Sequence, residues 1–145
     1  MKTLGDPDIS VAALKIWTHN RQFPDSDDYW DGNWINSSAQ MSANGATVEV
    51  IAPFIHLGEL KRWYGQLLDL NKSLSGEANL EPMEPDLSVS MKAESLGHIT
   101  VNVNMTPDNI SQKHWFEFEI DQSYIPKLIG DLEAVLSKFP IRGNP

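Results

Sequence analysis

The sequence predicts an α+β domain in which a single antiparallel sheet of about five to six strands carries two helices on one face. Several short segments alternate apolar with polar residues, as strands with one buried face do. Two longer segments repeat apolar residues at helical spacing. The length of 145 residues fits one domain, residues 1–145.

The first half of the chain contains three candidate strands and one hairpin. Residues Ile9 to Trp17 mix β-branched and apolar side chains and indicate a first strand. A second strand is expected from Trp34 to about Met41, and Thr47–Ile51 is its return strand. The Asn44-Gly45 pair between them predicts a tight turn, because both residues tolerate positive φ. Residues 20–31 are expected to be irregular.

The predicted helices lie in the middle and near the end of the chain. Leucines and a tyrosine within Leu57–Leu70 fall on one helical stripe, and Pro53 is expected to precede that helix. The second helix is expected to begin after Asp121 or Ser123, since either can cap it. Pro140 is expected to end it.

Three further strands are predicted between the helices. Each of Leu87–Met91, Ile99–Met105 and Phe116–Ile120 alternates apolar with polar side chains. The loops that join them are short, so the pairing is expected to be antiparallel. Residues 74–86, which contain two prolines, are expected to be irregular.

The composition narrows the classes of partner. The formal charge is −9, with 20 acidic against 11 basic residues, and such a field repels nucleic acid and anionic membranes but attracts a basic partner. The plain alternative is acidity for solubility alone. The chain has no cysteine, no apolar run of membrane-spanning length, and no apolar segment after Met1 that resembles a signal peptide. We therefore expect a cytoplasmic protein without disulfides.

An acidic, aromatic segment, Asp25–Asn33, is the most conspicuous candidate site. An EF-hand calcium loop that starts at Asp27 would need oxygen ligands where Tyr29 stands and a glutamate where Ser38 stands. The motif therefore fails, and we predict no metal site. The segment is then either a solvated acidic turn or a patch that faces a partner.

The five tryptophans divide by position. Trp17, Trp34 and Trp115 lie in predicted strands, where packing in the core is the default expectation. Trp30 lies in the acidic segment, and the general tendency of tryptophan favours a buried position there too. An exposed Trp30 would be the best anchor for a partner, because tryptophan dominates interface hot spots.

The sequence shows no recognisable set of catalytic residues. It has neither a nucleophile elbow nor a phosphate-cradling glycine loop. The four histidines are scattered and do not form the paired spacing of a zinc helix, so we expect them on the surface or in loops. They are His19, His56, His98 and His114. We therefore predict no catalytic residue, no cofactor and no enzymatic activity.

Four segments resemble, in the same order, those of the WapI-like bacterial immunity proteins. Phe23-Pro24 followed by Asp28–Ile35 is similar to the acidic, aromatic opening of that family, which ends in Asn-Trp before a strand. The middle helix is similar as well, and so are Leu80–Pro82 with Asp86–Val89 and the ending Lys138–Gly143. The resemblance implies a small cytosolic antidote to a polymorphic toxin, whose type member protects against a nuclease.

The resulting hypothesis is a non-enzymatic immunity protein that neutralises the C-terminal domain of a cognate toxin, expected to be a nuclease, through an acidic surface. The first predicted contact patch comprises Asp25, Asp27, Asp28, Trp30 and Asp31, and the second comprises Glu81, Glu84 and Asp86. One alternative is a small-ligand-binding or enzyme domain with a pocket between sheet and helices. Another is a structural subunit that oligomerises through its sheet.

Overall fold

The computed structural model describes residues 4–145 and contains two four-stranded antiparallel sheets. Residues 1–3, with the expectation about Met1, lie outside the described part. The first sheet consists of β1 (Ile9–Val11), β2 (Leu14–Arg21), β3 (Trp34–Ala43) and β4 (Ala46–His56). The second consists of β5 (Glu77–Leu80), β6 (Leu87–Ala93), β7 (His98–Met105) and β8 (His114–Asp121). The helices are α1 (Tyr29–Gly32), α2 (Leu57–Ser73) and α3 (Ile125–Lys138).

The prediction of a single sheet with five to six strands and two helices was wrong. Eight strands form two sheets, and each strand pairs only with its neighbours in the sequence. The 17 residues of α2 extend over roughly 25 Å and separate the edge strand β4 from β5. Alternation in a sequence reveals which face of a strand is buried, but it does not reveal which strands share a ladder.

Several element boundaries also differ from the prediction. The first predicted strand is a hairpin, in which Val11 pairs with Leu14 and Ala12 has a φ of 52°. The stretch expected to be irregular at 74–86 contains β5, and the one at 20–31 contains the end of β2 and most of α1. Pro53 lies within β4, where an extra residue makes a bulge against β3.

Other local predictions are confirmed. Ala43 pairs with Ala46 across the Asn44-Gly45 turn, and Gly45 has a φ of 82°. Helices α2 and α3 occupy the predicted segments. The Asp121 side chain accepts a hydrogen bond from the Ser123 amide, in the turn that leads into α3. None of the helices within residues 4–145 is long and apolar enough to cross a membrane.

Both sheets and the two long helices share one hydrophobic core. In the first sheet the buried row runs through the paired Ile16, Ala39 and Val50. Helix α2 contacts β4 in one sheet and β5 in the other, whereas α3 contacts β1 and α2. The helices therefore hold together two sheets that share no backbone ladder.

Removal of the Leu60 side chain tests this role of α2. Leu60 is fully buried, at 0% exposure, while Leu68 on the same helix is 42% exposed. We expect Leu60→Ala to lower the free energy of unfolding by about 2–5 kcal/mol, since it leaves a cavity between the sheets. Urea denaturation measures the change. Leu68→Ala is the matched control, and an equal loss in both variants would contradict the shared core.

Candidate functional site

All residues of the first predicted contact patch lie at the surface. The four aspartates, Asp25, Asp27, Asp28 and Asp31, are exposed. The Trp30 side chain is 52% exposed, so the expectation of a buried position was wrong. The cause is local, because α1 is a single turn that buries only Gly32.

Asp28 has a structural role that its neighbours lack. Its carboxylate oxygen Oδ2 accepts hydrogen bonds from the amides of Trp30 and Asp31, each at 3.0 Å. These amides are free donors at the start of α1, and an aspartate at this position satisfies them. Asp28 therefore sets the direction of Trp30, while Asp25, Asp27 and Asp31 are available for contacts.

The buried side chain of Asn33 fastens this loop to the segment after α3. Its amide nitrogen donates to the carbonyls of Tyr29 at 2.8 Å and Arg142 at 2.9 Å. Its amide oxygen accepts from the backbone N–H of Arg142 at 2.9 Å. One side chain thus satisfies backbone groups of two segments that are far apart in the sequence.

Two arginines complete the attachment through backbone carbonyls. Arg21 donates to the carbonyl of Gly32 at 2.7 Å, and Arg142 donates to those of Pro24 at 2.6 Å and Ser26 at 3.0 Å. Burial lowers the pKa of Arg21 from its ordinary value, and the nearby charge of Arg142 lowers it further. The acidic loop is therefore a braced structure.

His56 supports the loop from the opposite side. Its Nδ1 accepts from the Gly58 amide at 3.1 Å, so its Nε2 carries the hydrogen and donates to the Tyr29 carbonyl at 3.1 Å. A Cβ at Gly58 would clash with the Tyr29 hydroxyl, so glycine at this position leaves room for that ring. His56 is buried, and the expectation of a surface or loop histidine was wrong for this residue.

An aromatic cluster surrounds His56. The His56 ring centroid lies 5.2 Å from that of Tyr29 and 6.1 Å from that of Trp30. Trp34 meets the same ring edge to face at 5.0 Å. The exposed Trp30 therefore stands on a packed aromatic base, which lowers the conformational entropy that its side chain would lose on binding.

Trp34 also belongs to an open groove of about 440 Å³. The groove brings together the loop after β2, strands β3 and β4, and the loop between β5 and β6. Its lining consists of Gln22, Phe23, Trp34, Ala52, Pro53, Glu84 and Asp86. The alternative of a ligand-binding or enzyme domain would be favoured by a deep pocket lined by histidines and carboxylates. This groove has carboxylates but no histidine in its lining.

The second predicted patch lies on the loop between β5 and β6. Glu81 and Glu84 are exposed, and Asp86 is half-buried. The Asp86 carbonyl accepts from the Thr106 amide at 2.9 Å, which holds this loop against the end of β7. Glu84 and Asp86 line the groove that Trp34 also lines, whereas Glu81 does not.

Within residues 4–145, the candidate acids have no ion-pair partner within 4.0 Å. The pairs that lie within this distance are Arg62–Glu59, Lys127–Asp131 and, when the histidine is protonated, His98–Glu119. None of them involves a residue of either patch. Because Arg21 and Arg142 donate to backbone carbonyls instead, the negative charge of the loop is left directed at solvent.

The described part of the chain, residues 4–145, holds no group of three or more histidines and acidic residues close enough to bind a metal ion. The other histidines have separate partners: His19 bonds Ser38, and His114 bonds Gln112. The acidic loop offers no set of converging carboxylates.

The tryptophans show where pattern and structure diverge. Trp17 is buried as predicted, and its indole donates to the Gly5 carbonyl at 3.1 Å. Trp115 is 60% exposed, so its assignment to the core was wrong. The sequence indicated this exposure, because Trp115, Glu117 and Glu119 are spaced two residues apart. They therefore lie on the same face of the strand, which is the polar one.

An exposed, supported tryptophan among unpaired carboxylates defines a surface suited to protein recognition. The sequence matches the model of the WapI-like immunity protein family over residues 5–140, and the chain belongs to that family. Comparisons with curated proteins and with solved structures gave no match. Membership of an immunity protein family implies a toxin-neutralising role and a protein partner, the cognate toxin.

Truncation of Asn33 tests the attachment of the loop. We expect Asn33→Ala to lower the free energy of unfolding by about 2 kcal/mol, because it removes the hydrogen-bond partner of the Arg142 N–H and C=O groups and leaves a gap where the buried amide was. Thermal and urea unfolding measure the loss. The control is Asn36→Ala, whose side chain bonds only the exposed Asn20. Equal stability of the two variants would contradict the attachment.

Proposed function

We propose that this chain is a non-enzymatic, cytoplasmic immunity protein that binds the C-terminal domain of a cognate polymorphic toxin with its acidic surface. Membership of the immunity protein family supports the proposal. The observation that carries the choice of surface is the position of Trp30, which is exposed amid four aspartates on a braced loop. Contact-dependent competition between bacteria is the proposed setting.

A nuclease is the proposed class of toxin. Nucleases carry basic surfaces that contact phosphates, and such a surface complements an excess of nine negative charges. An acidic face that covers the phosphate-binding surface would exclude the nucleic acid without any chemical step. Complementary charge also raises the rate of association, which suits an antidote that must capture its target quickly.

The two predicted patches are proposed to act as one surface. Trp34 contacts the aromatic cluster beneath Trp30 and also lines the groove that Glu84 and Asp86 border. The groove provides a concave site for a side chain of the toxin between two acidic margins. Glu81 would extend the negative margin beyond the groove.

Trp30 is expected to supply much of the binding energy. Trp30→Ala should weaken toxin binding by at least about 30-fold, which corresponds to roughly 2 kcal/mol for a hot-spot tryptophan. Calorimetry with the cognate toxin domain measures the affinity. Phe23→Ala, which removes another exposed aromatic side chain, shows whether the groove shares the contact. An unchanged affinity in Trp30→Ala would remove Trp30 as the anchor.

Charge reversal tests the electrostatic part of the proposal. The triple variant Asp25→Lys, Asp27→Lys and Asp31→Lys keeps the Asp28 cap, and we expect its association rate with the toxin to fall at least about tenfold at low salt. Stopped-flow fluorescence measures the rate.

The control for charge reversal makes the same change in net charge elsewhere. Its substitutions fall at exposed acids outside both patches, and they are Glu49→Lys, Asp69→Lys and Glu94→Lys. If both triple variants slow association equally, net charge rather than this patch guides the encounter. If neither does, the acidic patch formed by Asp25, Asp27 and Asp31 does not guide the encounter.

A further inference from the structure

Strand β8 is an unusually open sheet edge. It has eight residues, and its register with β7 is unbroken from Asp121 to His114. The other edges are protected: β1 has three residues and contacts α3, β5 has four and contacts α2, and β4 carries Pro53 and a bulge. Proteins usually shorten, bend or cover such edges, and β8 shows none of these devices.

The backbone of β8 can accept another strand. In an antiparallel pair, alternate residues direct both their N–H and their C=O groups away from the partner strand. Within residues 4–145, the backbone hydrogen bonds outside the ladders and helices do not involve residues 114–121. Free donors and acceptors therefore line the side of β8 that faces away from β7.

Space for the side chains of an added strand lies beside β8. An open groove of about 450 Å³ runs between β8 and the turns of the first sheet. Mostly small residues form its far wall, and they are Ala12, Ala13, Met41, Ser42 and Ala43. Its near wall is β8 itself from Trp115 to Glu119, where the rings of Phe116 and Phe118 are half-buried. The groove therefore suits apolar side chains that alternate along an extended segment.

The opposite face of β8 is acidic and aromatic. Trp115, Glu117 and Glu119 alternate along it and are all exposed. The cross-strand partner of Glu117 is the neutral Asn102, and the His98 imidazole lies 4.0 Å from the Glu119 carboxylate. Basic side chains on a neighbouring strand would complement this row.

We propose that β8 receives an extended segment of a partner protein as a fifth strand of the second sheet. The segment would alternate lysines or arginines, placed over Glu117 and Glu119, with apolar residues that enter the groove. A second copy of this chain fits poorly, because antiparallel pairing of two β8 strands sets acidic side chains against one another. This surface is separate from the groove at Trp34, and the proposal does not depend on the toxin assignment.

A synthetic heptapeptide of alternating lysine and valine is the probe. Titration of the full chain with it, followed by NMR, is expected to shift the indole signal of Trp115. Alternate β8 amides should become protected from hydrogen exchange. Two further forms of the peptide are N-methylated, one at the odd-numbered residues and one at the even-numbered residues. Each form lacks the amide donors of one edge, so the pair distinguishes strand addition from attraction by charge alone. Strand addition requires one form to bind and the other to fail.

The protein variants complete the test. Glu117→Lys with Glu119→Lys should weaken peptide binding at least tenfold, whereas Glu49→Lys with Glu94→Lys should leave it within twofold. Equal binding of both methylated peptides, or of a glutamate–valine peptide, would overturn the proposal. So would light scattering that shows a dimer with β8 protected in the absence of peptide. Toxin binding is measured separately, so the two proposals can fail independently.

Discussion

The buried amide of Asn33 is the interaction on which the candidate recognition surface depends. It bonds backbone groups of α1 and of the segment after α3 at once. Without it, Arg21 and Arg142 would still donate to carbonyls, but these groups lie nearer to solvent. The rigidity of the acidic loop thus follows from one fully satisfied amide in the interior.

The distribution of charge follows from the same arrangement. A chain with 11 basic and 20 acidic residues could have paired its arginines with the aspartates of the loop. Instead, Arg21 and Arg142 donate to backbone carbonyls beneath those aspartates. The positive charges hold the loop in place from within, and the negative charges face outward. The attachment of the loop and the recognition proposed for it therefore use different atoms of one loop.

The local pattern of the sequence predicted helices and a turn, but it could not predict the assembly. Helical spacing located α2 and α3, and Asn44-Gly45 located the hairpin. The two sheets arise because α2 separates the halves of the chain, which is a matter of tertiary packing rather than of periodicity. The acidic segment was visible in the composition. The support from His56 was not, because histidine gives a weak capping signal and its partner Tyr29 is distant in the sequence.

The distance along the chain between Asn33 and Arg142 imposes an order on biosynthesis. These residues are separated by 109 positions, and translation proceeds from the amino end. While Arg142 is still inside the ribosome, its backbone cannot bond the Asn33 side chain, and its guanidinium cannot donate to the carbonyls of Pro24 and Ser26. In a nascent chain the aspartates would therefore lie on a loop that is not yet fixed. Such a loop would lose more conformational entropy on binding than the loop of the folded protein does. The fixed form of the loop would therefore appear only after Arg142 has left the ribosome and folded against Asn33.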